Sequence, residues 1–342
     1  MVQQPLATDA PATDALLQVS GLHVRLNTAQ GTVDALREVS FILPRGQTLG
    51  LIGESGSGKS ITALALMGLL PPGAQTLGSI KLGDTELTTL DDAAWCQVRG
   101  RRIGMVFQEP MTALNPLHTV GRQIAEPLRL HLGLSASAAQ AEALRLLDRV
   151  QMPQAAQRLA AYPHQLSGGQ RQRVVIAIAL SCGPELLIAD EPTTALDATT
   201  QREVLDLIQR LCRDSGMALL LISHDLGLMA DRVQKLLVLY GGTVVESGPT
   251  QAVFARRAHP YTRGLVAARP HLGKRGAAGP GQARVPLATI AGRVPALHDL
   301  PAGCPFADRC ELVLPECRVA LPAEVQIAPD HRARCLRTDV QA

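Results

Sequence analysis

The stretch Gly53-Glu54-Ser55-Gly56-Ser57-Gly58-Lys59-Ser60 decides how the rest of the chain is read. A short apolar run, residues 47–52, leads straight into it, and residues 60–70 read as a helix closed by Pro71-Pro72-Gly73. Strand, glycine-rich loop and helix in this order form the setting in which backbone amides surround a nucleotide's phosphates. Gly53, Ser55, Gly56, Ser57 and Gly58 supply that loop. Lys59 can reach the β- and γ-phosphates, and Ser60 can place its hydroxyl on Mg²⁺. The helix behind them aims its N-terminal amides and dipole at the same anion.

Two more segments follow in order. Leu186-Leu187-Ile188-Ala189 is an apolar strand ending in Asp190-Glu191. Asp190 suits Mg²⁺, and Glu191 stands where it can accept a proton from an attacking water. With Pro192 and Thr193-Thr194 behind them, one of the two acids can instead cap a helix. Gln108 closes the strand 103–107 and can touch Mg²⁺ or water, while His224 ends the run 219–223 and can donate to a γ-phosphate. Four apolar runs thus end in polar groups at their C-terminal side. Short, near-continuous apolar strands fit a parallel sheet covered on both faces, where ligands lie beyond the carboxyl ends. The four groups are therefore expected at one site.

The segment Leu166-Ser167-Gly168-Gly169-Gln170 opens another helix with a hydroxyl and free amides, again suited to an anion. One helix N-terminus already serves the phosphate loop. A second one needs another phosphate or another chain.

Around these segments, residues 16–26 and 33–43 alternate about a Gln30-Gly31 turn, which predicts antiparallel strands at a sheet edge. From about 111 to 183 the texture is helical. Ser135 caps a helix running to Met152, with Leu144, Leu147 and Val150 on one face, and a second helix follows Ser167. Strand signals return at 186–189, 218–222 and 235–240, and the last turns at Gly241-Gly242 into 243–246. Residues 1–15, rich in Ala, Thr and Pro, read as a flexible tail with no signal peptide. Beyond about 258 the chain is rich in Pro, Gly and Arg, which predicts a loosely structured extension over 258–342.

A length of 342 residues allows a large core and a smaller second unit, here 16–257 and the extension. A net charge of +3 and an aromatic content of 2% leave neither the basic surface nor the stacking platforms that nucleic acid requires. No stretch approaches the ~18–20 apolar residues that span a bilayer. A cytoplasmic protein, linked to any membrane through a partner, is the expectation.

The three phosphate-handling segments together resemble the ABC ATPases, over about residues 16–254. The resemblance implies an α/β fold, a P-loop (RecA-like) core with an antiparallel β edge and a helical subdomain at about 111–183. It implies two such domains closing head to tail on two ATP molecules with Mg²⁺. Ser167, Gly168, Gly169 and Gln170 would then meet the ATP held by the partner's loop, and Asp197 would lie in the loop joining the two sites. Lys59, Gln108, Glu191 and His224 would be catalytic, and Ser60, Gln108 and Asp190 would serve Mg²⁺. The family's adenine-stacking aromatic has no counterpart at 26–33.

Phe107-Gln108-Glu109-Pro110-Met111-Thr112-Ala113-Leu114-Asn115-Pro116 and Thr119-Val120-Gly121-Arg122-Gln123-Ile124 narrow the resemblance to dipeptide, oligopeptide and nickel importer ATPases. His259-Pro260-Tyr261-Thr262-Arg263-Gly264-Leu265 and the tail fit the same group. That branch implies two membrane permease subunits, a second and paralogous ATPase, a substrate-binding protein and a place on the cytoplasmic face of the inner membrane. Nickel, glutathione or another small solute remains open as cargo, as does a non-transport ATPase of phosphonate-metabolism type.

Cys96, Cys182 and Cys212 are scattered, whereas the tail carries Cys304-x5-Cys310-x6-Cys317-x17-Cys335. Four such thiolates can hold a cubane cluster or zinc, or can stand as reduced thiols in a small core. The resemblance favours a [4Fe-4S] cluster, with His331 a bystander or occasional ligand.

Overall fold

The computed structural model describes residues 14–194, 196–268 and 289–339. Alternation of apolar residues folds Ala15–Thr28 (β1) and Gly31–Pro44 (β2) into a long antiparallel hairpin closed where Thr28 faces Gly31. Its inward residues include Leu17, Val24, Leu36 and Leu43. Thr48–Ile52 (β3) follows, and then Lys59–Leu66 (α1). Gln75–Leu82 (β4) returns to β1, and Thr85–Glu86 (β5) completes a four-stranded sheet in the order β2-β1-β4-β5. The hairpin is thus not an edge of the parallel sheet, as expected from its alternation. It belongs to a separate sheet whose apolar face covers the parallel one.

Asp92–Val98 (α2), Ile103–Val106 (β6) and the short Pro110–Ala113 (α3) lead into a run of helices. These are Val120–Leu132 (α4), Ala136–Arg149 (α5), Ala155–Arg158 (α6) and Gly168–Leu180 (α7). Ser135 does cap α5, its side chain accepting from the Ala138 N–H. The helix stops at Arg149, short of Met152, because Gln151 turns into the left-handed region at φ 57°. Its buried face centres on Ala139, Ala143, Leu146 and Leu147, with Leu144 at the margin.

Leu186–Asp190 (β7), Ala198–Ser215 (α8), Ala218–Ser223 (β8), Leu226–Met229 (α9), Lys235–Tyr240 (β9), Thr243–Pro249 (β10) and Thr250–Arg256 (α10) complete the main body, and Pro260–Ala267 (α11) opens the extension. Five strands, β9-β3-β8-β7-β6, run parallel. Their residues divide by alternation between two cores. Leu186, Ile188, Leu220, Ile222, Leu237 and Leu239 pack toward the hairpin sheet and α1. Leu187, Ala189, Leu219, Leu221, Leu236 and Val238 pack toward α4, α5, α7 and α8. Burial on both faces is why each strand reads as an unbroken apolar run.

Helix α1 ends at Leu66, earlier than the expected Leu70. Gly68 takes φ 61°, its N–H bonds the Ala65 carbonyl, and the Leu69 N–H bonds Leu64, a left-handed helix stop. A Cβ at Gly68 would lie 2.3 Å from the Trp95 ring, so the stop also depends on a residue far along the chain.

The extension departs furthest from expectation. Glu316–Val319 (α12), Val325–Ala328 (β11) and His331–Ala333 (β12) follow a 3-10 turn at Ala307–Arg309, and β12 pairs with β10, so the tail extends the central sheet. The loosely structured expectation holds for the irregular residues 289–303 and fails for 304–335, while residues 269–288 and 1–13 lie outside the described ones. Of the tail expected at 1–15, Ala15 already begins β1. The join is held at Glu246, buried to 1% exposure, whose carboxylate accepts from the N–H groups of Ala258 and His259 and lies 2.8 Å from His331 Nε2. His331 is therefore the partner of Glu246 rather than a group attending the thiols.

His259 caps α11, its Nδ1 accepting from the Tyr261 N–H. Burial pushes its pKa down to about 4, with Glu246 pulling it up and Arg263 pushing it further down. An unfolded histidine titrates near ~6.5, so the unfolded chain binds the extra proton between the two values. This contribution to stability is complete above that upper value and is lost as pH falls toward 4. Its full size is about 3 kcal/mol. Denaturant unfolding from pH 7 to 4.5 should show that fall, and it should be shallower in His259→Asn.

Candidate functional site

Strand β3 delivers the chain into a loop that only the absence of side chains allows. A Cβ on Gly53 would lie 2.2 Å from the Leu239 carbonyl oxygen and 2.5 Å from Ser57 Oγ. Gly56 and Gly58 have φ of 80° and 105°, and Gly58 sits at the N-cap of α1. The Ser57 carbonyl accepts from the Gly242 N–H, which anchors the loop to the β9–β10 turn.

Lys59 is 5% exposed, and its Nζ donates to the carbonyls of Gly53 at 2.8 Å and Glu54 at 3.0 Å. The same Nζ lies 3.9 Å from Glu191 Oε1. Burial pushes the Lys59 pKa down, while Glu191, Asp190 and Glu54 pull it up. Burial likewise pushes the Asp190 carboxyl up, Glu191 adding to this, against a Ser60 hydrogen bond and the Lys59 charge. Asp190 Oδ1 is buried with no hydrogen-bond partner. An orphaned carboxylate oxygen beside a serine hydroxyl at the mouth of a phosphate loop fits Mg²⁺, which takes few protein ligands and completes its shell with water and phosphate.

Glu191 is the point where the strand ends meet. Its Oε2 accepts from Gln108 Nε2 and Thr194 Oγ1, each at 3.2 Å, and its Oε1 lies 3.1 Å from His224 Nδ1. Its backbone is held at φ 45°, with its N–H bonding the Ile222 carbonyl. A glutamate in the left-handed region is locally strained, and the surrounding contacts hold it there. The structure thus brings Lys59, Ser60, Gln108, Asp190, Glu191 and His224 together.

Ser167, Gly168, Gly169 and Gln170 form a second locus. Ser167 Oγ accepts from the Gln170 N–H at 3.3 Å, and Gln170 Oε1 accepts from the Ser167 N–H at 3.1 Å, a reciprocal cap on α7. A Cβ on Gly169 would lie 2.9 Å from Thr200 Cγ2. Asp197 caps α8, accepting from the Thr199 and Thr200 N–H groups and the Thr200 hydroxyl. The helix cap thus falls to Asp197 and not to either acid of the Asp190-Glu191 pair. Among the described residues no hydrogen bond or ion pair joins the segment 167–170 to the loop 53–60.

All four tail cysteines, Cys304, Cys310, Cys317 and Cys335, line one apolar cavity with Phe306, Leu312 and Val313. Burial pushes the Cys304 thiol up to about 12, and it raises Cys310 and Cys335 as well. The space between them, about 10 Å³, is water-sized, so an iron–sulfur core would have to enlarge it. Among the described residues no three His, Cys, Asp or Glu side chains are placed to hold one metal ion, so the four thiols as they stand are not a ready ligand set for zinc or for iron.

The loop also has partners that no local signal announces. The Glu54 N–H donates to the Tyr261 hydroxyl at 2.8 Å, and the Glu54 carboxylate pairs with Arg309.

Comparison with known proteins agrees with this geometry. A family profile described as ABC transporter matches residues 36–194, and one described as oligopeptide/dipeptide transporter, C-terminal region, matches 245–317. A Brucella melitensis relative, named as a peptide import ATP-binding protein, is 47% identical over 94% of this chain and 97% of its own length. The oligopeptide transport ATP-binding protein OppD of Salmonella typhimurium is 44% identical over 97% of this chain and 96% of its own. The chain belongs to the ABC transporter ATPase family. A solved structure of the ATP-binding cassette MJ0796, dimeric, post-hydrolysis and bound to ADP and Pi, superposes with a TM-score of 0.62 at 27% identity, covering 68% of this chain and 98% of that one. This ABC ATPase is an ATP-hydrolysing enzyme, and among its described residues no helix is long and apolar enough to cross a membrane.

If Asp190 Oδ1 is the Mg²⁺ ligand, Asp190→Asn should lose the tightening of ATP binding that Mg²⁺ confers on the parent, by about 10-fold or more. Titrating a fluorescent ATP analogue with and without Mg²⁺ on both proteins measures this. Equal Mg²⁺ dependence would remove Asp190 from the role.

Proposed function

We propose that this ATPase energises an importer of di- and oligopeptides from the cytoplasmic face of a membrane. The observation that carries the chemistry is the convergence of Lys59, Gln108, Thr194 and His224 on Glu191, with Asp190 beside it. The likeness of the whole chain, tail included, to peptide-importer subunits supports the cargo.

In this reading Lys59 exchanges the carbonyls of Gly53 and Glu54 for the β- and γ-phosphates. Ser60 and Asp190 hold Mg²⁺, which supplies charge neutralisation at the phosphates when bound. Glu191 accepts the proton of the attacking water. Gln108 and His224, both touching that carboxylate, orient the water and the γ-phosphate. Ser167, Gly168, Gly169 and Gln170 serve the nucleotide of a second ATPase subunit, a paralogue, and Asp197 lies at the seam. The helical segment 111–183 receives the permease pair, and a substrate-binding protein delivers the peptide. The ATPase itself does not touch the cargo.

We also propose that Cys304, Cys310, Cys317 and Cys335 hold a [4Fe-4S] cluster. Their gathering around one cavity supports this. The cluster would serve a structural role.

Glu191→Gln should bind ATP as the parent does but hydrolyse it about 10²–10⁴-fold more slowly, the span of a lost general base. Steady-state turnover beside nucleotide binding reads both. Near-parental turnover would exclude Glu191 as the base. Protein purified without oxygen should contain iron and acid-labile sulfide, and replacing all four cysteines by serine should abolish both. Metal-free protein with an unchanged melting temperature would leave four buried thiols as the correct description.

A further inference from the structure

The carboxyl-terminal extension reaches the phosphate loop at one residue, Glu54, by two independent routes. Arg309 Nη1 lies 2.5 Å from Glu54 Oε2, and Nη2 donates to Oε1 at 3.2 Å, a two-pronged pair. Tyr261 Oη accepts the Glu54 N–H at 2.8 Å. The third polar group of Glu54, its carbonyl, accepts from Lys59 Nζ at 3.0 Å. Every polar group of this residue is therefore committed, two to the extension and one to the loop itself, where the carbonyl accepts from the Ser57 N–H as well as from Lys59.

The seat is built rather than incidental. Arg309 Nε donates to the Ala291 carbonyl, Nη1 also donates to Tyr240 Oη, and Nη2 also donates to the Ile290 carbonyl. Every N–H of the guanidinium fork has an acceptor. Tyr240, Tyr261 and Phe306 pack against one another with ring centroids 4.7–5.3 Å apart. The Arg309 side chain is 5% exposed and that of Glu54 30%, so removing the arginine leaves a carboxylate half-shielded from water beside the loop's own anion site.

We propose that Arg309 and Tyr261 are positioning residues for nucleotide binding. They fix Glu54, and through its carbonyl the resting place of Lys59, and they neutralise a carboxylate that would otherwise repel the incoming phosphates. On this view the extension is the outer wall of the nucleotide site. Arg309 lies on the turn between Cys304 and Cys310, so the thiol cavity and the loop share one short segment. The inference rests on the assignment of phosphates to the loop 53–60.

The test uses the full-length chain, with affinity for a fluorescent ATP analogue and Mg²⁺ measured beside KM, kcat and melting temperature. Tyr261→Phe deletes one oxygen and keeps the ring packing, and Arg309→Lys keeps the charge but loses the fork. Each should raise Kd and KM, by about tenfold for two sites coupled in this way, with kcat within about twofold. Arg309→Ala should weaken binding more, and adding Glu54→Gln to it should restore part of the loss. Should Arg309→Ala fail to fold, Tyr261→Phe and Arg309→Lys still decide the matter. Parental affinity in both of these would overturn the proposal, as would a fall in kcat at constant KM. Lys59→Ala run in parallel separates the two levels. If it also binds like the parent, the nucleotide assignment of the loop has failed; if it alone loses binding, only the role of Arg309 and Tyr261 has.

Discussion

A parallel strand buried on both faces can carry no charge along its length, and this constraint organises the molecule. In β3, β6, β7 and β8 the interior positions are apolar and nearly inaccessible, and polar chemistry begins only where each strand leaves the sheet. Parallel strands end on one side, so charges excluded from four strands accumulate in one place. There they must offset each other, because unpaired buried ions cost several kcal/mol each. Lys59 opposite Asp190 and Glu191 satisfies that need. The arrangement that stabilises the strand ends is also the one that suits a metal-bound triphosphate and an activated water.

The same balance explains why the loop needs an outer support. Its curvature comes from backbone without side chains, and such backbone has little packing of its own to hold it. The β9–β10 turn fixes one point through Gly242 and Ser57. The extension fixes another through Glu54, and a Cβ on Gly241 would lie 2.8 Å from Pro305, so the turn is itself pressed against the extension. Joined to the central sheet by β12 and by the buried Glu246–His331 contact, the extension has the rigidity this task demands.

Much of the site was legible because it follows from local order. Lys59, Gln108, Asp190, Glu191 and His224 each stand just past an apolar run, and parallel-sheet topology alone places such positions together. Alternation in 16–26 and 33–43 shows one buried face but not which surface covers it, so a separate sheet is indistinguishable from an edge in the sequence. The stop at Gly68 depends on the Trp95 ring, and the strand at 331–333 depends on β10, neither of which leaves a local trace. The Glu54–Arg309 pair spans 255 residues, and an arginine in a loop-rich tail looks like any solvated charge. The positive φ of Glu191 was equally hidden, since glutamate carries no preference for it. Long-range partners and backbone strain are the features that a single sequence conceals.

The two polar loci are separate in hydrogen bonding yet tied by a short stretch of chain. Glu191 accepts from the Thr194 hydroxyl, Thr193 Oγ1 accepts from Gln201 Nε2, and Asp197 caps the helix that carries both Gln201 and Thr200. Thr200 in turn packs against Gly169 at the start of α7. A change at the Glu191 carboxylate therefore has a route of few contacts to the Ser167 cap. That cap is a loose one, with bonds of 3.1 and 3.3 Å that an anion can replace without stranding either partner in an apolar setting, since Ser167 is exposed and Gln170 only partly buried. The first locus holds its carboxylate through strain and several donors, while the second keeps its donors on weak local duty. The first suits a carboxylate held in one place, and the second leaves donors that an anion can take over.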